Sequence, residues 1–256
     1  METNEILKAR WLIENMAPRY PLKLEWFIKQ PELGFDKKVE IRANPLLPKE
    51  IIAFILPHRS LLYHYICFNP DHCIERIRFA IAHETGHLYL GHEGYSIGDD
   101  EPQDIKAEAD NFGSEIIMPA FRVRAKAAQL YKLSPIHLVY NLKRYFWVSA
   151  EAMSRRLLDT GVFLGTYFLY DQNKCYYAYM TSGIAISIQM RKMLIDMYKT
   201  LRNKEYREMS YWEHGQNFKL YLHKFSNGKV FGAINIDTEN YNCFRENSVF
   251  YFTSNF

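Results

Sequence analysis

The chain has 256 residues, 48% hydrophobic and 16% aromatic, which supplies a sizeable core for one large or two small domains and excludes global disorder. Its formal net charge of +3 does not define a class of partner, and its longest apolar runs, near residues 51–56 and 161–170, fall far short of the roughly 20 residues that cross a bilayer. Met1-Glu2-Thr3-Asn4-Glu5 carries acids where a signal peptide carries bases, and Cys67, Cys73, Cys175 and Cys243 form no C-x-x-C pair, so the expected setting is a reducing cytoplasm, with no membrane partner.

Residues 5–16 place Ile6, Leu7, Trp11, Leu12 and Ile13 on a helical stripe that Pro18 and Pro21 end, and residues 22–30 read as a second, short helix. Residues 51–56 are a short apolar, β-branched run, residues 57–60 a turn, and residues 61–68 a second run rich in aromatics and aliphatics. This predicts a hairpin ending at Asn69-Pro70-Asp71, with Asp71 as the N-cap of a helix over about residues 74–90 and Gly91 as its stop. The exposed edge of such a hairpin can receive an extended substrate by strand addition, although a plain structural sheet has the same sequence pattern.

The helix carries His83-Glu84-Thr85-Gly86-His87, an HExxH pattern. Residues four apart share a helix face, so His83 and His87 stand side by side and can hold one zinc ion at about 2.0–2.1 Å from each nitrogen. Glu84 can then act as general base on a water whose pKa the zinc brings to about 7, which is the chemistry of peptide hydrolysis. Ile77, Phe79, Ala80, Ile81, Ala82, Leu88 and Leu90 make the surroundings apolar, and polar groups buried there need partners. A pair of satisfied core histidines is the plainer alternative. Residues 93–102 form an acidic, Gly-containing loop, read as solvated. Residues 104–117 form a second helix ended by Met118-Pro119, and a catalytic zinc site needs its third ligand from this helix.

Taken together, Arg78-Phe79-Ala80-Ile81-Ala82 before HETGH, then Glu108-Ala109-Asp110-Asn111-Phe112-Gly113, then Ile116-Ile117-Met118-Pro119 resemble the ImmA/IrrE family of zinc metallopeptidases, over about residues 61–157. The resemblance implies an α+β, zincin-like metallopeptidase domain with a small sheet, an HExxH helix and a ligand helix. It also implies a gluzincin-like site, with two histidines and a glutamate on zinc, and a role in cleaving a transcriptional repressor in stress, phage or mobile-element circuits. The family's glutamate four residues before the Asn/Asp is here Lys106, and an ammonium is a poor zinc ligand. Glu108 is placed first as substitute ligand, Asp110 next, either as ligand or as a residue steadying a histidine. The remaining alternative is a regulatory pseudoenzyme with a weakened site. His92 is read as structural or near the site, because the metzincin spacing would need Gly at position 90 and His at position 93.

Between residues 121 and 157 eight basic residues face one acid, Glu151, in a segment that resembles a helix-turn-helix, with Ser149 capping a new helix. DNA is the weaker expectation for it, since basic faces are often merely solvated. Residues 161–181 read as a hairpin turning at 171–174, residues 187–207 as a helix with Met190, Met193, Leu194, Met197 and Leu201 on one stripe, and residues 218–222, 230–236 and 248–253 as strands, with Ser226-Asn227-Gly228 a turn. The expected organisation is a metallopeptidase domain over residues 1–160, including the basic helical segment, and a small α+β domain over residues 161–256 for sensing, substrate recognition or homo-oligomerisation. The expected function is a zinc endopeptidase acting on a protein substrate, with His83, His87 and Glu108 on the metal and Glu84 as base.

Overall fold

The computed structural model describes residues 3–56, 63–92, 102–171, 175–181, 188–213 and 216–236. In chain order the elements are α1 (Asn4–Met16), α2 (Leu24–Phe27), a 3-10 turn at Pro31–Leu33, β1 (Lys38–Ala43), β2 (Ala53–Leu56), β3 (Tyr63–Phe68), α3 (Ile74–Leu90), α4 (Gln103–Ile117), α5 (Ala120–Gln129), α6 (Pro135–Phe146), α7 (Ala150–Asp159), β4 (Gly165–Tyr170), β5 (Cys175–Met180), α8 (Ile188–Thr200), β6 (Tyr206–Glu213), β7 (Gln216–Lys224) and β8 (Val230–Ile236). The class is mixed α+β. The chain divides into two compact units, the first running to Val123 and including Lys143–Ser149, the second made of Arg124–Leu142 and the described residues from Ala150 onward. Among the described residues no helix is long and apolar enough to cross a membrane.

In the first unit, β2 and β3 pair antiparallel from Ala53↔Phe68 to Leu56↔Tyr65, as the two apolar runs predict, while the turn expected at residues 57–60 lies outside the described residues. The sequence reading did not anticipate β1, which joins β3 in parallel. Its Lys38, Glu40 and Arg42 share the face of Tyr63 and Tyr65, and the Arg42 guanidinium lies 4.3 Å from the Tyr65 ring centroid. Val39 fills the opposite, buried face.

Helix α3 packs against β2 and β3. Its N-cap is Cys73, without a side-chain capping bond, and not Asp71. The Asp71 N–H instead donates to Asn69 Oδ1 at 3.0 Å, a local turn that competes with capping. At its other end Gly91 takes a left-handed φ of 75° and closes the helix as predicted.

Helix α4 crosses α3 closely because glycine stands on both sides of the contact. A Cβ on Gly86 would lie 3.2 Å from Ala109 Cα, and one on Gly113 would lie 3.1 Å from the His83 backbone nitrogen. On its other side α4 is tied to the N-terminal segment. Asn111 Nδ2–H donates to Glu5, and the Tyr20 hydroxyl donates to Ile116 O at 2.8 Å. The buried Glu115 carboxylate accepts from Arg10 and from the Ala120 N–H that opens α5.

In the second unit five antiparallel strands run in the order β5-β4-β8-β7-β6. Helix α8 covers one face, where Met190, Leu194, Met197 and Leu201 meet Phe168, Phe218, Leu220, Leu222 and Ile234. Tyr167 and Phe231 stack on the other face, and Tyr140 of α6 meets Phe231 edge-on. The expected helix over residues 187–207 stops at Thr200. The chain turns where Lys204 adopts a φ of 64° and Glu205 accepts the Arg202 N–H, and β6 follows. Its Met209 and Tyr211 pack against the α8 core, a two-residue period hidden directly behind the helical stripe. The turn at residues 226–228 joins β7 to β8, with Gly228 at φ 81°. The strand expected at residues 248–253 lies outside the described residues.

The basic segment forms α5, α6 and α7, but part of its charge is used in holding structure. Arg124 Nε–H donates to Thr160 O at 3.0 Å, Arg156 is buried, and Arg122 lies over the Tyr20 and Phe121 rings.

Candidate metal centre

Ile77, Ile81 and Thr85 follow one another at four-residue spacing and are buried, which fixes the rotation of α3. Thr85 satisfies its hydroxyl by donating to Ile81 O at 2.7 Å. With that stripe inward, His83 and His87 emerge on the neighbouring face. Their Nε2 atoms are 2.9 Å apart, with ring centroids at 4.6 Å and planes at 75°. Two imidazoles on one tetrahedral zinc would hold those atoms about 3.3 Å apart, so an ion would need only a small opening of the pair. Glu84, half-buried, follows His83 on the same turn.

His87 is almost wholly buried. Burial, then the neighbouring His83 and His92, hold its pKa down at about 4, with Asp110 opposing the shift. It is therefore neutral near pH 7, the form a metal ligand requires. Behind His83, Nδ1 lies 2.8 Å from Asp110 Oδ1. An Nδ1–H donated to that carboxylate leaves the His83 Nε2 lone pair facing His87.

The two carboxylates weighed for the third ligand go to different places. Asp110 meets His83 on the side away from the Nε2 pair. Glu108 places Oε2 3.0 Å from His92 Nε2, and His92 Nδ1 lies 3.0 Å from His87 Nδ1. Residues two apart on a helix are about 200° apart in direction, so Glu108 and Asp110 cannot serve the same neighbour. Lys106, one turn before Asp110, is exposed. Among the described residues no group of three or more His, Cys, Asp or Glu side chains is arranged to hold a metal ion, so Glu108 is not brought to the histidine pair as a third ligand. The donor set fits zinc in its histidine half, with two neutral imidazoles converging and one of them backed by a carboxylate.

His92, expected to be structural or near the site, returns to His87 because the left-handed Gly91 reverses the chain, and the His92 N–H donates to His87 O at 3.0 Å. The close helix crossing had a visible signal in two glycines, Gly86 and Gly113, set inside helical patterns.

A family model described as an IrrE N-terminal-like domain, of peptidase family M78, matches residues 36–158. Among solved structures, a Mycobacterium tuberculosis transcriptional regulator has a similar fold, with a TM-score of 0.56 over 91% of this chain and 76% of that chain, at 13% identity. No curated protein matches this chain.

Proposed function

Residues 36–158 belong to the IrrE N-terminal-like domain family of peptidases, and from that premise we propose that the protein is a zinc-dependent endopeptidase cutting a specific protein substrate. The observation that carries this reading is the 2.9 Å approach of the His83 and His87 Nε2 atoms on one face of α3. His83 and His87 would hold the ion, and Asp110 orients His83. Zinc there would supply Lewis acidity and lower the pKa of a bound water to about 7. Glu84 takes the proton of the attacking water and later delivers it to the departing amine. The edge of β2, beside α3, offers backbone groups for an extended substrate segment. A transcriptional repressor as substrate accords with the family, and the similar fold of a transcriptional regulator accords with a regulatory role.

Two observations favour a second reading, a regulatory DNA- or protein-binding protein with a weakened metal site. Lys106 occupies the position of the family's ligand glutamate, and no third ligand joins the histidines among the described residues. Metal analysis separates the two. One zinc per chain, lost in His83→Ala and His87→Ala, supports the peptidase, and protein that stays metal-free in added zinc removes it. Glu84→Gln should keep the metal while cleavage of the substrate falls by about 10²–10⁴-fold. Cleavage at the wild-type rate would eliminate Glu84 as base.

A further inference from the structure

Five side chains form one unbroken line. Asp110 Oδ1 meets His83 Nδ1 at 2.8 Å, His83 Nε2 meets His87 Nε2 at 2.9 Å, His87 Nδ1 meets His92 Nδ1 at 3.0 Å, and His92 Nε2 meets Glu108 Oε2 at 3.0 Å. Both ends are carboxylates, which accept when ionised, and a neutral imidazole has one N–H. The His83 proton therefore points at Asp110 and the His92 proton at Glu108. His87 is left between two lone pairs with a single proton to give.

A metal ion at the Nε2 pair removes that conflict. Both Nε2 lone pairs are then used by the metal, the His87 proton sits on Nδ1, and His92 Nδ1 accepts it. Every contact along this line is then filled with all three rings neutral. We propose that His92, anchored by Glu108, is a positioning residue that holds the ring proton of His87 on Nδ1 and so frees its Nε2 for the metal. This rests on the reading of His83 and His87 as the metal-holding pair. His92 is not itself aimed at the ion, since one of its nitrogens faces His87 and the other Glu108. Its side chain is only 10% exposed, so water competes little for the contact. Without it, the His87 proton is drawn to Nε2, where it donates to His83 and occupies the ligand lone pair. Glu108 thus supports the centre from two residues away and does not bind the ion.

The test uses the full chain as wild type, His92→Ala and His92→Asn, the last because an asparagine Oδ1 can replace the acceptor at Nδ1. Zinc affinity is measured by chelator competition, and the position of the His87 ring proton by long-range ¹H–¹⁵N NMR of histidine-labelled, metal-free protein. His92→Ala should lose about 10–100-fold in zinc affinity and shift the His87 proton from Nδ1 towards Nε2, and His92→Asn should recover most of both. Unchanged affinity in His92→Ala overturns the proposal. So does a loss of affinity with the His87 proton unmoved, which is what lost packing alone would give. If the wild type takes up no zinc, the peptidase reading falls and this proposal falls with it. If the wild type takes up zinc and the His87 proton holds the same position in wild type and His92→Ala, this proposal alone is refuted.

Discussion

Where α3 meets α4 the chain places Thr85, His83, His87 and Asp110, each with a hydrogen-bond partner. Beneath α8 the five-stranded sheet offers an apolar bed of Met, Leu, Phe, Val and Ile side chains, in which the buried Thr166 hydroxyl and the Tyr170 hydroxyl find no hydrogen-bond partner among the described residues. Polar contacts fix geometry, because each donor must meet its acceptor within a few tenths of an ångström. An apolar contact fixes little beyond volume, and flexible methionines loosen it further. The first region is built to hold atoms in place, and the second to hold elements together.

The comparison breaks if the apolar face proves unimportant to stability. Phe168 lies over Gly232, where an added Cβ would come within 2.1 Å of its ring. Phe168→Ala should cost about 3–5 kcal/mol in urea unfolding, the largest effect expected. On the polar side the cost should appear in metal binding. Asp110→Ala should weaken zinc by about 10–100-fold in chelator competition, and an unchanged affinity would mean that His83 is oriented by something else.

Gly86→Ala is a smaller test. Overpacking against Ala109 backbone costs about 1–3 kcal/mol. Replacing a helical glycine returns about 1 kcal/mol, so a net loss of about 1 kcal/mol is expected in the urea midpoint. A further test is pH dependence. In metal-free protein the folded pKa of His87 is about 4 against an ordinary 6.5, so between those values the unfolded chain takes up a proton that the native chain does not. Stability from this group is complete above about pH 6.5 and is lost as pH falls towards 4. His87→Gln should flatten that part of the profile, and an unaltered slope would place the titration elsewhere.

The HExxH helix was legible because its signal is local, two histidines one turn apart in an apolar stripe closed by glycine. Asp110 was legible as one of two candidates, since four-residue spacing says which face a carboxylate shares but not which atom it reaches. Reach alone favours Glu108 as a ligand in the sequence, and its bond to His92 depends on a chain reversal at Gly91 that no periodicity encodes. Strands β1 and β6 were missed for a related reason. Lys38, Glu40 and Arg42 make β1 look solvated until Tyr63 and Tyr65 are set beside them, and β6 follows a helical pattern that ran on past Thr200.

At Gly113 the main chain of α4 rests directly on that of α3, and at Gly86 the main chain of α3 meets Ala109 backbone with the Phe112 ring beside it. A sideways tilt of α4 cannot be absorbed there by a rotamer change, so it must be passed on rigidly to Asp110 and through it to the His83 ring. Glu5, Arg10 and Tyr20 grip the far side of the same helix. The N-terminal segment thus acts as a mechanical clamp on the aim of the His83 imidazole.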